Sequence, residues 1–469
     1  MLGLGVTSRA RLISAAALTS ALVLVLAAGR AFGTGESITD VRVLDNQRTE
    51  EATIRSIAGV SIGETLEADT LDRVRERLNT SGLFSDINVW WEPSGAGVRV
   101  NIAVKEKFPW APVPTGTWSA NNKAIGMVFV HGNLFGRGKQ LLLGARAASV
   151  DSGAVLAYRD PAMFGSWIYW QMQALVQRQV IPEFDNSMGL ANPVEVRESN
   201  LVSYGFEPTI GIAWFRRVKT QVSWHLEQYN TKGSDIPTQD ATASSPPTTD
   251  ATKGGTVGVG RANLSFDFRA REFAVMQGAA LAGQLDYATP GLGSDFTYWR
   301  AAVSWEHGIR FFRQANLIYF AYAATGHNLP FWSEATAGGT NLRGYLYQQF
   351  RGDTQFAGKV EYHFPLFSIG SLDFRALGFY DLSAVWFRDL PTAMTTPDAN
   401  GVTYRVRDVD QRTFPDAYQQ GFGFSRSVHN AVGGGLRFFL RSVTVPLIGF
   451  DAGYGLEAHN WRFFLVIGA

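Results

Sequence analysis

Cysteine is absent from the 469 residues, which excludes thiol catalysis, cysteine-ligated zinc and a disulfide framework. Charge is scarce, at 18% of the chain. Past the N-terminus no apolar run reaches the ~18 residues that a membrane-spanning helix needs. Aromatic residues, by contrast, are abundant: 13 Trp, 15 Tyr and 32 Phe, with 49 Gly beside them. A soluble domain would need a very large core to hide that aromatic load. A barrel of strands in lipid needs the aromatics on its outside, as girdles at the two interfaces. The composition therefore favours a β-barrel.

Residues 1–31 read as a secretory signal peptide, with Arg9 and Arg11 in a positive n-region and Leu12–Ala28 as the apolar stretch. Without them, 39 basic side chains face 41 acidic ones, a net charge of −2. Nothing in this balance points to nucleic acid.

Residues 36–107 have a texture of their own. Ile38, Val41 and Val43 suggest a short strand, and residues 50–57 a short amphipathic helix ended by Gly59. Leu71, Val74 and Leu78 lie three and four apart, on one face of a second helix closed by Gly82. Residues 87–91 and 98–104 read as strands joined by the turn Pro93-Ser94-Gly95. The order β-α-α-β-β, with Ser81-Gly82-Leu83-Phe84 at the helix–strand junction, resembles a POTRA domain. Three strands leave an unpaired sheet edge, which can accept an extended peptide by β-augmentation.

From Phe108 to the end, a period of two recurs. Arg217, Lys219, Gln221, Ser223, His225 and Glu227 alternate with Val218, Thr220, Val222, Trp224 and Leu226. The same holds for Arg261–Arg269 and for Trp170–Gln177. In lipid every backbone group must be paired, so alternating strands have to close on themselves. The fold expected is mainly β: a transmembrane antiparallel barrel over 108–469, of roughly 16 strands at ~10 residues each plus turns, preceded by one small α+β POTRA-like domain. The polar stretches 181–200, 230–255 and 388–420 read as extracellular loops.

Three segments narrow the family. Gly338-Gly339-Thr340-Asn341-Leu342-Arg343-Gly344-Tyr345 sits between strands, followed by Glu361-Tyr362-His363-Phe364-Pro365-Leu366 and Phe379-Tyr380-Asp381-Leu382-Ser383-Ala384-Val385-Trp386. Together they resemble the BamA/TamA-type outer-membrane assembly superfamily, whose early turn Asn133-Leu134-Phe135-Gly136-Arg137-Gly138 also resembles. The resemblance implies a bacterial outer-membrane location, a periplasmic N-terminal domain, and a loop whose Leu342-Arg343-Gly344-Tyr345 tip folds back into the barrel. Parity supports the same residues independently. Lys359, Glu361 and His363 share one face of their strand, and Asp373, Arg375 and Asp381 one face of theirs. Glu361 and Asp381 therefore point into the lumen, where an arginine's planar fork of donors suits two carboxylates. Two departures stand out: Ser383 where the family carries glycine, and a final strand that ends Ile467-Gly468-Ala469 rather than on an aromatic, which leaves Phe463 and Phe464 as the candidates for the aromatic insertion signal.

Other patterns carry less. Gly136-Arg137-Gly138-Lys139 lacks the first glycine and the Ser/Thr of a phosphate loop. Arg351-Gly352-Asp353 matches an adhesion tripeptide by chance. The seven histidines never take metal-ligand spacings. Glu361 and Asp381 could mimic a glycosidase pair, but an arginine between them leaves no general acid. No enzyme activity, metal or cofactor is expected. The resemblance implies a factor that takes unfolded outer-membrane or secreted polypeptides from the periplasm, with outer-membrane lipid and periplasmic or lipoprotein partners around it. The alternatives are a two-partner-secretion transporter, or a passive porin or anchor.

Overall fold

The computed structural model describes residues 35–468 apart from 164–165, 187–188, 216, 236–253, 273, 313, 389–394, 398–402, 406–426 and 441–445. The expected leader and most of the 230–255 and 388–420 loops lie outside the described residues. The chain divides into two units, one running up to Pro109 and including Gly132–Gly138, the other holding Trp110–His131 and the rest from Lys139.

In the first unit, strand β1 (Ile38–Leu44) is followed by helices α1 (Glu51–Ala58) and α2 (Thr70–Ser81), then strands β2 (Phe84–Ser94) and β3 (Gly97–Glu106). The sheet order is β1-β3-β2, with β1 parallel and β2 antiparallel to β3. Ile54 and Ala58 of α1 and Val74 and Leu78 of α2 are spaced four apart, so each pair faces one way and is buried. They cover Val98, Val100, Ile102 and Val104 of the central strand. Full burial of each large apolar side chain contributes about 1.5–3 kcal/mol, which is how so small a domain holds together.

The end of β3 is tied to the segment before α1. The Glu106 carboxylate accepts the backbone N–H of Arg48 at 2.8 Å and of Thr49 at 2.6 Å. Partial burial pushes this carboxyl up, but the Thr49 and Arg48 hydrogen bonds outweigh it and hold it below the ordinary glutamate range. A lowered folded value means the stabilisation is complete above the unfolded pKa of about 4.3 and is lost as pH falls through the folded one. Hydrogen exchange on the full chain tests this. Glu106→Gln should already weaken protection of the Arg48 and Thr49 amides at neutral pH, and wild-type protection should approach the variant's on acidification below pH ~4; equal protection at neutral pH would refute it. The turn Gly132–Gly138 is held in the same unit: Asn133 Nδ2 donates to Thr49 Oγ1 at 2.8 Å, and Asn133 Oδ1 accepts the Gly138 N–H at 2.8 Å.

The second unit is a closed barrel of sixteen antiparallel strands among the described residues. They are β4 (Trp110–Trp118), β5 (Lys123–Leu134), β6 (Lys139–Ala148), β7 (Asp151–Asp160), β8 (Ile168–Asp185), β9 (Val194–Phe215), β10 (Val218–Asp235) and β11 (Gly255–Asp267, resumed at Ala270–Glu272). The second half holds β12 (Val275–Ala288), β13 (Tyr298–Phe311), β14 (Ala315–His327), β15 (Thr354–Ile369), β16 (Leu372–Trp386), β17 (Val428–Leu440), β18 (Pro446–Gly455) and β19 (Asn460–Ile467). Val222 and Trp224 face out while Ser223 and Glu227 are buried in the lumen, as the alternation requires. Trp224, Tyr287 and Trp299 lie in one outward band; Trp167, Trp214, Phe268, Phe311 and Phe367 mark the opposite rim. One expectation needs correction. Residues 181–200 are not one loop, because β8 runs to Asp185, β9 starts at Val194, and Ile181 pairs with Ser199.

Candidate functional site

Strands β14 and β15 are joined by a connection, residues 328–353, that carries the Arg343 tetrapeptide. Its base is a ribbon in which Ala335–Ala337 pairs with Phe350–Gly352. Arg351, buried, donates to the Phe331 carbonyl at 2.6 Å and pairs with Glu334 at 3.3 Å. Asp353 accepts the Arg388 backbone N–H at 2.9 Å. Arg351-Gly352-Asp353 is therefore part of the loop's frame, with both charges buried and out of reach of an adhesion partner.

At the tip, the Gly339 N–H donates to the Tyr345 carbonyl at 3.1 Å and closes the turn. Arg343 then projects onto the inner wall, 3% exposed. Its Nε reaches Asp381 Oδ2 and its Nη2 reaches Asp381 Oδ1, both at 2.7 Å, a bidentate pair. The Arg343 backbone N–H adds a third bond to Asp381 at 3.1 Å. Glu361 lies 2.8 Å from Nη2. The guanidinium carbon sits 3.3 Å from the centre of the Phe379 ring, so the fork stacks on one face while its edge binds carboxylates. Leu342 and Tyr345 are fully buried. Tyr345 OH donates to the Asn430 carbonyl at 3.2 Å and bonds Glu457 as well. The structure thus brings Leu342, Arg343, Gly344, Tyr345, Glu361 and Asp381 into one cluster.

Sequence reasoning missed a third carboxylate. Asp451 Oδ2 lies 3.2 Å from Arg343 Nη1, and Asp451 also binds Arg437 at 2.6 Å and 2.9 Å. The signal was available: in β18, Gly449, Asp451, Gly453 and Gly455 share a parity opposite Ile448, Phe450, Ala452 and Tyr454. A lone charge amid glycines on the lumen face is where a loop can approach closely. Phe379, also missed, shares the parity of Asp381. Ser383 fits where glycine was expected: it is 1% exposed, with Oγ 3.4 Å from the Phe356 carbonyl. Of the candidate terminal aromatics, Phe463 is exposed on the outer face and Phe464 is buried.

Residues 133–457 match the Omp85 superfamily domain, and residues 37–107 match the POTRA family described as surface antigen variable number repeat. The chain belongs to the Omp85 superfamily. Omp85 barrels are transporters or insertases, and this one is an outer-membrane protein with its POTRA domain in the periplasm. Solved structures share its fold. BamA from Haemophilus ducreyi lacking POTRA domains 1-3 superposes with a TM-score of 0.63 at 13% identity, over 92% of this chain and 84% of that one. CdiB from Acinetobacter baumannii gives 0.56 at 13% identity, over 92% and 73%. CdiB from Escherichia coli gives 0.53 at 10% identity, over 94% and 91%. No curated protein matches in sequence. An Omp85 barrel handles polypeptide clients.

Proposed function

We propose that this Omp85 protein inserts unfolded outer-membrane polypeptides, received from the periplasm, through a lateral seam in its wall. The observation that carries this reading is how the barrel closes. β19 meets β4 at Leu465–Trp118, Val466–Thr117 and Ile467–Gly116, three residue pairs. The flanking ladders are longer: β4 pairs with β5 from Trp110–His131 to Trp118–Lys123, and β18 with β19 from Ile448–Ile467 to Gly455–Asn460. Each unsatisfied backbone group in hydrocarbon costs several kcal/mol, so a three-pair ladder opens more cheaply than the longer ladders on either side of it. Ala111–Thr115 have no ladder pairing on that edge among the described residues. Pro112 and Pro114 lie in this stretch and lack an N–H. Both keep their register with Phe129 and Met127 of β5, which places their missing donors at the seam edge. An edge with fewer donors is less costly to leave open. Gly468, at φ +67°, lies against Pro114 of β4, where an added Cβ would meet the Pro114 carbonyl oxygen, and donates to the Leu447 carbonyl at 3.0 Å without a register pair in β4.

A client strand laid on the β4 edge would complete its pairing by β-augmentation, and folding of the client would drive the step. The Arg343 cluster acts as a latch that fixes the loop to the wall formed by β15, β16 and β18, so that movement is confined to the seam. Periplasmic or lipoprotein partners would deliver the client to the POTRA domain. Reconstitution tests the reading. The purified chain, in liposomes of phosphatidylethanolamine and phosphatidylglycerol, should speed insertion of a urea-unfolded small outer-membrane barrel several-fold over empty liposomes, scored by protease protection. No acceleration, with large steady conductance, would overturn it in favour of a passive pore. Client delivered into the liposome lumen without insertion would overturn it in favour of secretion.

A further inference from the structure

The three ladder pairs of the seam involve Gly116–Trp118, at the extracellular end of β4. Residues Asn460–Phe464 of β19 run on past Trp118 with no register partner in β4. Above the ladder, the two sides of the seam are joined instead through loops. We propose that the Asn121–Tyr347 contact is an extracellular clasp on the seam, and that it is the joint that parts when the wall opens; this rests on the lateral opening argued above.

The clasp grips both sides. On the side of β17–β19, the loop is anchored by Arg343 on Asp451, by Tyr345 on Asn430 and Glu457, and by the close approach of Gly344 to Gly455. On the side of β4, in the β4–β5 turn, Asn121 Oδ1 accepts the Tyr347 N–H at 2.9 Å and Asn121 Nδ2 donates to the Tyr347 carbonyl at 3.1 Å. This reciprocal pair imitates one rung of a β-ladder. Tyr347 OH adds a bond to Asp151, at the start of β7, at 3.0 Å. Tyr345 and Tyr347 are two residues apart, at most about 7 Å of extended chain, so the loop has no slack with which to follow both sides as they separate. The anchors are unequal. Arg343 makes several charge-assisted bonds in a buried setting, roughly twice as strong each as neutral ones, and Tyr345 is fully buried. On the other side Asn121 offers two neutral amide bonds, the Tyr347 hydroxyl a single bond to Asp151, and Gln349 neutral bonds to Asn186 and the Leu190 carbonyl. The loop therefore stays with the C-terminal strands, and Asn121 lets go. The β8–β9 connection makes a second joint of the same kind: the Ala191 carbonyl accepts Arg462 Nη2 of β19 at 2.6 Å.

The absence of cysteine makes the test direct. Spin labels on Ala120→Cys and Leu456→Cys, both exposed, report the separation across the seam in phosphatidylethanolamine–phosphatidylglycerol liposomes. A second pair, Thr340→Cys with Leu456→Cys, reports whether the loop stays with the C-terminal strands. The intact clasp should give one narrow distance for each pair. Asn121→Ala should add a longer population to the first pair and leave the second unchanged, and Asn121→Ala with Arg462→Ala should enlarge that population. An unchanged first distance in both variants would overturn the clasp. Lengthening of the second pair would overturn the order in which the anchors release. No client is present, so the outcome is independent of the insertion assay. A responsive clasp with no insertion would refute the proposed function alone, and insertion with an unresponsive distance would refute the clasp alone.

Discussion

Replacing Arg343 with alanine is expected to destabilise the folded barrel by about 3–5 kcal/mol, the cost of breaking a buried ion pair from one side. The size follows from what remains. Asp381 is 0% exposed and would lose its two guanidinium bonds. Asp451 would keep Arg437, while Glu361 would keep His363 at 2.9 Å. The uncompensated charge is therefore chiefly that of Asp381. Arg343→Lys should recover only part of the loss, since a point charge cannot span both oxygens of Asp381, stack on Phe379 and reach Asp451 together. Removing both partners, Arg343→Ala with Asp381→Ala, should cost less than the two single losses added, with a coupling of roughly 0.5–3 kcal/mol. The measurement is the temperature at which the folded, fast-migrating band converts to the unfolded one on a gel, with chymotrypsin cleavage within 328–353 as a second readout. A midpoint and cleavage rate equal to wild type would show that the latch is only a contact.

The elements legible in the sequence are those where one physical requirement dominates. The helix face at Leu71, Val74 and Leu78 is visible because a three- and four-residue spacing has no other use. The barrel was visible because lipid on one side and water on the other force alternation. Where that requirement lapses, the signal lapses too. Beyond the lipid, β8 and β9 continue to pair, with Val180 opposite Asn200 and Ile181 opposite Ser199, but their outer face no longer needs to be apolar. Polar strands then look like loop. Their apolar residues are spent inward instead: Ile181 and Leu201 pack with Tyr229, Phe331 and Trp332 in a cluster under the connection 328–353, and no local pattern announces such a partner.

The site was half legible for a related reason. Glu361 and Asp381 could be aimed by parity alone, and the arginine was supplied by the family resemblance. Asp451 lies 108 residues from Arg343, on a strand two away from that of Asp381 with β17 between them, and strand parity alone does not say how far across the wall the arginine reaches. Asn121, 226 residues from Tyr347, required the loop's path across the mouth, which strand parity does not encode.

Gly344→Ala should produce nearly the same defect as removing Arg343, without touching a charge. Gly344 sits at φ +105°, a conformation L side chains rarely adopt, at a strain of about 1–3 kcal/mol. An added Cβ would also lie 2.5 Å from the Gly455 nitrogen and 2.9 Å from its Cα. These are backbone atoms of a paired strand, so no side chain can swing aside, and overpacking adds about 1–3 kcal/mol. The cheapest relief is for the loop tip to lift off β18, which carries Arg343 away from Asp381 and Asp451. Gly453→Ala makes a useful comparison, because its Cβ would lie 2.8 Å from the Arg343 Cβ and 2.9 Å from the Arg343 carbonyl carbon and so crowds the same tip, while Gly453 itself has no positive φ; a loss smaller by the backbone strain alone is expected. If the steric and electrostatic defects are one event, Gly344→Ala combined with Arg343→Ala should melt little lower than either alone. Full additivity of the two losses would mean that the glycine contact and the ion pair hold the loop independently, and the latch would then be two fastenings rather than one.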